Sequence, residues 1–340
     1  MIPWLIAAIG MTSAVPANDF RIQYVGRTAV RPDGAVDVGF PGVTAHLRVS
    51  GDSLRFVVVA SKGPQYVDVR VDQQPYRQMQ LQAGTGEYSV ALPPGGEHEV
   101  ALLRCNESWQ GTLEFKSFSS LGGGFAAPGS LPARKLMFVG DSVTCGELTA
   151  YHAGTAFNDS RNTDARLSYG EILARRFQAQ CHLVSYGGRG MIRDWQGIRD
   201  TNNAPEFYKL ALPDDPSTVW DPRRYVPDVI GVQLGTNDFS PGIPNEVEFV
   251  QAYVGFVRTL RKDAPDAFIF LMESPILKDR KREVLRTYLE EIVGQLRDSR
   301  IRLAPLAHRA GVPGNGHPTG AEHVAMADEL EAQLKAVVGW

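Results

Sequence analysis

Two folds in tandem are predicted from this sequence: an antiparallel β-sandwich of jelly-roll type, followed by a three-layer α/β/α domain on a five-stranded parallel sheet. Three observations lead there. Apolar and polar residues alternate with period two from Ile22 to about Phe118. The stretch Leu121–Ser130, LGGGFAAPGS, breaks that period and reads as a linker. Beyond it, short apolar strands alternate with helical patterns, as in a parallel sheet covered on both faces. Length agrees, because 340 residues at about 150 per domain suggest two domains. The boundaries so read are a leader over residues 1–17, a sandwich over 18–128 and an α/β domain over 129–340.

The leader is read from the apolar run Ile2–Met11, then small residues at Val15 and Ala17 before the polar Asn18-Asp19. That is the pattern of a secretory signal peptide cut after Ala17, although no lysine or arginine precedes the run. A secreted or periplasmic location is therefore expected. In the sandwich, Ala45, Leu47 and Val49 alternate with His46 and Arg48, and Val67, Val69 and Val71 with Asp68, Arg70 and Asp72. Further segments at Gln78–Ala83, Glu87–Leu92, Glu97–Leu103 and Gly111–Phe118 give about eight strands in all. Gly51-Asp52-Ser53, followed by the apolar Leu54–Val59, reads as a hairpin turn.

In the second domain the strands are expected at Lys135–Val139, His182–Ser185, Val229–Leu234, Phe268–Met272 and Ile301–Ala304. Between them the clearest helix is Arg282–Arg297, where Leu285, Tyr288, Leu289, Ile292, Val293 and Leu296 recur at three and four residues. Asn245 can cap a helix running to about Lys262.

Chemistry in such a sheet gathers in the loops at the carboxyl ends of its strands. Ser142 follows the first strand, in FVGDSVTCGE over Phe138–Glu147. Gly187-Gly188-Arg189-Gly190 follows the second, Gly235-Thr236-Asn237-Asp238 the third, and Gly316-His317-Pro318-Thr319 precedes the terminal helix. A serine, a glycine, an asparagine and a histidine thus arrive at loops where they can converge. Each has a plainer reading: Ser142 as a helix cap, Gly188 and Gly190 as turn residues, Asn237 as a loop brace, and His308 or His323 in place of His317. Cys145 is either a reactive thiol or a small buried residue, and Trp109, Trp195 and Trp220 are either stacking faces or core.

These blocks, with VSYGGRGMIRDWQG over Val184–Gly197 and WDPRRYVPDVIGVQLGTNDFS over Trp220–Ser240, resemble the SGNH (GDSL) hydrolases and, within them, carbohydrate esterase family two. Arg31-Pro-Asp-Gly34, Phe40-Pro-Gly-Val-Thr44 and Ser108-Trp-Gln-Gly111 carry the likeness into the sandwich. The resemblance implies a serine esterase that removes O-acetyl groups from xylan or glucomannan, including 6-O-acetates. Ser142 is the implied nucleophile and His317 the base, and the oxyanion hole comprises Ser142, Gly190 and Asn237. Trp195, Gly188 and Asp238 are candidates for substrate binding, although Asp238 can equally brace its loop. Many relatives carry an aspartate three residues before the histidine, where this chain has Gly314. Some members of the resembling subgroup use a Ser–His dyad whose imidazole is held by a backbone carbonyl, and the resemblance implies that arrangement here, with Asn315→Ala retaining most activity.

Other classes are weaker. The net charge of −3 and the absence of a basic run argue against nucleic acid, and no stretch past the leader is apolar enough for a membrane span. The three cysteines show no CxxC spacing and no HxxxH occurs, so neither a metal nor an organic cofactor is expected. The expected partner is an acetylated polysaccharide or oligosaccharide; oligomeric state stays open. Two alternatives are kept: deacetylation of, or acetyl transfer to, bacterial exopolysaccharide or small sugars, and a carbohydrate-binding protein with a weak hydrolase domain.

Overall fold

Alternation along the first third of the chain builds two antiparallel sheets that bury one face each. A computed structural model describes residues 12–340. Its first domain contains β1 (Thr12–Pro16), β2 (Ile22–Val25), β3 (Thr28–Val30), β4 (Val36–Val38), β5 (Thr44–Ser50), β6 (Ser53–Ala60), β7 (Gln65–Val71), β8 (Arg77–Leu81), β9 (Gly84–Ala91), β10 (Glu97–Arg104) and β11 (Leu113–Leu121). One sheet runs β3-β4-β11-β6-β9 with β1 also on β11, and the other β2-β5-β10-β7-β8. Inward residues such as Leu47, Val49, Leu54, Phe56, Val58 and Phe118 are fully buried, as aligned sheet packing requires.

Two expectations need correction. Gly51-Asp52-Ser53 is not a hairpin, because β5 and β6 belong to different sheets; the turn, with Gly51 at φ +116°, carries the chain across the sandwich. The junction expected after Ala17 lies inside the sandwich: Thr12–Pro16 pairs antiparallel with Ser117–Leu121, and Val15 and Ala17 are buried. A cut there would remove a paired strand. The apolar run Ile2–Met11 of the expected leader lies outside the described residues.

The second domain contains β12 (Arg134–Gly140), α1 (Ser142–Cys145), α2 (Tyr169–Phe177), β13 (Ala179–Ser185), α3 (Ala204–Phe207), β14 (Val229–Gln233), α4 (Thr236–Phe239), α5 (Glu246–Asp263), β15 (Phe268–Met272), α6 (Asp279–Leu296), β16 (Ile301–Ala304) and α7 (Gly320–Val338). The five strands pair in parallel in the order β13-β12-β14-β15-β16. Successive side chains of a buried strand face opposite layers. Leu136 and Phe138 accordingly pack in the cluster of α2 and α7, while Met137 and Val139 join the core of α5 and α6. Asn245 caps α5 by accepting from the Glu248 N–H at 3.0 Å, and Thr319 forms a capping box with Glu322 at the start of α7.

The two domains are joined by buried polar contacts. Arg27 of the sandwich, itself fully buried, donates to the carbonyls of Tyr208 and, at 2.9 Å, Leu210. Arg166 of the second domain pairs with Asp68 of the first and with Asp164 at 3.0 Å. Ser108 Oγ donates to the Ser185 carbonyl at the end of β13, at 2.7 Å. That last bond seats the segment Glu107–Gly111 of the sandwich against the carboxyl end of the parallel sheet.

Candidate active site

Gly140 ends β12 because nothing larger fits: a Cβ there would fall 2.0 Å from Thr144 Oγ1. Asp141 then caps α1, its carboxylate accepting from the Val143 N–H at 3.0 Å. Its other oxygen has no donor, and burial pushes its carboxyl up to about 7. Ser142 is the first residue of α1, so its N–H has no intrahelical acceptor.

Ser142 Oγ lies 2.8 Å from His317 Nε2. The loop that brings the histidine back is folded by Gly314 at φ +84° and Gly316 at φ +92°. Between those glycines Asn315 turns inward, and its Oδ1 accepts from His317 Nδ1 and, at 3.2 Å, from the His317 backbone N–H. This corrects the expected backbone-carbonyl orientation. The side chain two residues before the histidine holds the ring, fixing the proton on Nδ1 and leaving Nε2 to accept from the serine. The other histidines lie elsewhere: His323 is buried against Tyr169 and accepts its N–H, and His308 contacts the Pro275 carbonyl.

The remaining candidates follow the next two strands. Gly190 stands where an added Cβ would meet Arg193 O and Asp238 Oδ2, both at 2.4 Å. Asn237 Nδ2 gives one bond to the Arg189 carbonyl at 2.9 Å, which leaves its second N–H free. Asp238 does not line the cleft that Ser142 and His317 open into. It is fully buried, and its carboxylate accepts from the N–H groups of Met191, Ile192 and Arg193 at 2.8 to 3.3 Å. The acid therefore braces the Gly190 loop, and burial pushes it up to about 6 in spite of those bonds.

An open cleft of about 810 Å³ collects Ser142, His317, Asn315, Asn237, Gly188 and Trp195. Trp195 is 56% exposed; its backbone N–H donates to the Gly188 carbonyl at 3.0 Å, and its ring edge lies against Gly188 at φ +79°. Trp109, from the sandwich, closes the same cleft and is 37% exposed. Trp220 is core: it is buried beneath the guanidinium groups of Arg27 and Arg224. Cys145 is also buried, its thiol on Ser185 Oγ at 3.2 Å, and burial pushes that thiol well up.

Comparison with known proteins decides the family. A family model described as Carbohydrate esterase 2 N-terminal matches residues 24–128, and the GDSL-like Lipase/Acylhydrolase family matches residues 138–338. An acetylxylan esterase / glucomannan deacetylase of Cellvibrio japonicus is 39% identical over 333 residues, covering 97% of this chain and 92% of that one. The chain belongs to carbohydrate esterase family two. It is a carboxylic ester hydrolase. The solved family two carbohydrate esterase from Cellvibrio japonicus superposes with a TM-score of 0.94 at 38% identity, over 97% of this chain and 99% of that one. That from Clostridium thermocellum, in complex with cellohexaose, superposes at 0.89 and 27% identity, over 94% and 99%.

Within this esterase, sequence reasoning passed over two acids and an amide. Asn315 carries no charge and stands two residues before the histidine, so nothing in the sequence marks it as the partner of the ring. Glu147 stands in the same ten residues as Ser142, yet only the fold shows its Oε2 at 3.3 Å from His317 Nε2. Glu107 lies in a different domain, and no local pattern connects it to the serine.

Proposed function

We propose that this esterase removes O-acetyl groups from acetylated plant polysaccharide, xylan or glucomannan, with primary O-6 acetates among its substrates, through an acyl-enzyme on Ser142. The contact of 2.8 Å between Ser142 Oγ and His317 Nε2, at the foot of an open cleft, carries this reading. A serine hydroxyl is a weak nucleophile until a base takes its proton. As Oγ bonds the acetyl carbon, His317 Nε2 receives that proton, and the carbonyl oxygen becomes an oxyanion facing the N–H groups of Ser142 and Gly190 and the free amide N–H of Asn237. Losing one such donor typically costs about 3 kcal/mol of transition-state stabilisation. Collapse breaks the ester bond, and the departing sugar oxygen takes the proton from Nε2. Water then attacks the acetyl-serine by the same route, releasing acetate and restoring the hydroxyl.

The cleft's two exposed tryptophans support a sugar polymer as substrate, because indole faces stack on the apolar faces of pyranose rings. The name of the Cellvibrio japonicus relative supports xylan and glucomannan. Acetate release from acetylated xylan, acetylated glucomannan and an aryl acetate tests the assignment. Wild type should act on all three. Trp109→Ala should lose about tenfold in kcat/KM on the polysaccharides, the worth of one stacking contact, and change less than about twofold on the aryl ester. Cleavage of the aryl ester with none of either polysaccharide would overturn the substrate while leaving the esterase.

Export is part of the proposal, with the cut placed upstream of Thr12, since β1 is paired in the sandwich. N-terminal sequencing of the processed protein should find Thr12–Ala17 retained. A mature start at Asn18 would restore the junction first read from the sequence, and unprocessed chain in the cytoplasm would overturn export.

A further inference from the structure

The base of this site has a neutral partner on one side and a charged one on the other. Asn315 holds Nδ1 with an amide, and Gly314 offers no carboxylate. Across the ring, Glu147 Oε2 stands 3.3 Å from Nε2. Glu147 is fixed to the nucleophile's own turn: Gly146 takes the left-handed conformation at φ +86°, and the Glu147 N–H donates to the Ser142 carbonyl at 3.0 Å.

Behind Glu147 lies Glu107, from the sandwich. It is 0% exposed, and its carboxyl meets the Cys145 thiol and the Glu147 side chain. Its carboxyl is wedged against the cleft loop, since a Cβ on Gly187 would fall 1.9 Å from Glu107 Oε2. Arg104 does not neutralise it, for the guanidinium donates to the carbonyls of Asn106, Glu107 and Gly111. A buried unpaired carboxylate is costly, and two carboxyls sharing one site cannot both ionise readily. The fully enclosed Glu107 is the member that keeps a proton; burial first, and the Glu147 carboxylate second, push its carboxyl well above the usual range. Its O–H then has the Glu147 carboxylate as acceptor.

Building on the serine-esterase reading above, we propose that Glu147, 3.3 Å from Nε2 and backed by the buried Glu107 of the β-sandwich, is the negative partner of the His317 imidazolium during acyl transfer. It acts from the Nε2 side, in the electrostatic role that an aspartate at Nδ1 plays in a Ser-His-Asp triad. The serine proton moves to Nε2 and on to the departing sugar oxygen, while Glu107 keeps its own proton throughout. Stabilisation arises only when the ring is charged, so it lowers the barrier instead of tightening ground-state binding. Glu147 is a charge partner and Glu107 a positioning residue.

The other titratable groups around this set are Asp141, Cys145 and Arg104 near Glu107, His323 behind His317, and Arg189 and Asp194 on the cleft wall. They are common to wild type and variants, so a difference between pH profiles isolates the two glutamates. The test measures kcat/KM on an aryl acetate against pH for wild type, Glu147→Gln, Glu107→Gln, Asn315→Asp and Asn315→Asp/Glu147→Gln. Glu147→Gln should lower the plateau about tenfold and move the acid limb down by about one pH unit, the shift that follows loss of an adjacent opposite charge. Glu107→Gln, whose amide still donates to Glu147, should keep the limb and at least about half the rate. Asn315→Asp should return a charge to the ring and shrink the effect of Glu147→Gln. An unshifted limb with an unchanged plateau in Glu147→Gln would sink the proposal. So would an effect confined to KM for oligosaccharide, which would make Glu147 a substrate contact. Failure of the underlying reading looks different: Ser142→Ala would then match wild type across the whole profile.

Discussion

His317→Ala is expected to lower kcat/KM on an aryl acetate by about 10⁴- to 10⁶-fold, the range found when a nucleophile–base pair is broken in serine hydrolases. The reason is local. Ser142 Oγ has one side-chain partner, His317 Nε2 at 2.8 Å, and without it the hydroxyl keeps its proton. The loss should fall on kcat, because the oxyanion donors proposed at Ser142, Gly190 and Asn237 sit outside the His317 loop and remain in place. The fold should persist, since the His317 side chain is 19% exposed in a loop before α7 and belongs to no core cluster. Thermal unfolding matching wild type, together with collapse of the rate, is the expected pair of results. Retained activity would assign the base elsewhere.

Asn315→Ala is expected to cost about 10²-fold in kcat, against the view that position 315 is dispensable. Its Oδ1 holds both the ring Nδ1 and the backbone N–H of His317. Removing it frees the imidazole to rotate and lets the proton move to Nε2, the wrong tautomer for accepting from serine. The amide carries no charge, so its loss costs orientation and tautomer but no Coulombic stabilisation, and the effect should be smaller than that of His317→Ala. Asn315→Asp should retain activity, because an ionised acceptor at the same reach preserves the tautomer. Steady-state kinetics of the three variants, measured side by side, order these effects.

The order of the chain announced most of this site. An apolar strand running into Gly-Asp-Ser places a serine at the carboxyl end of a parallel sheet, and strands alternating with helices predict that sheet. Asn245 was equally readable, because a cap depends on residues three apart. Partners distant in sequence were not. Gly51-Asp52-Ser53 showed a turn between two strands, but period two says nothing about which sheet each strand joins. The short strands β1 to β4, of three to five residues, fall below the length at which alternation is visible. Asn315 was hidden for a different reason. Its reach to the ring depends on left-handed glycines at 314 and 316, whose conformation the sequence permits but does not dictate. Glu107 and Glu147 are forty residues apart in sequence, 107 against 147, and meet because Ser108 bonds the end of β13.

The central claim is an acyl-enzyme on Ser142, and its most direct test is rapid quenching of the enzyme mixed with an aryl acetate, followed by peptide mass spectrometry. The account predicts a transient gain of about 42 Da, an acetyl group in place of a proton, on the peptide that contains Ser142. The same gain should persist longer in a Gly190 or Asn237 variant that slows deacylation, and should be absent from Ser142→Ala. Acetate released at the wild-type rate by Ser142→Ala, or an acetyl group trapped on any other residue, would contradict it.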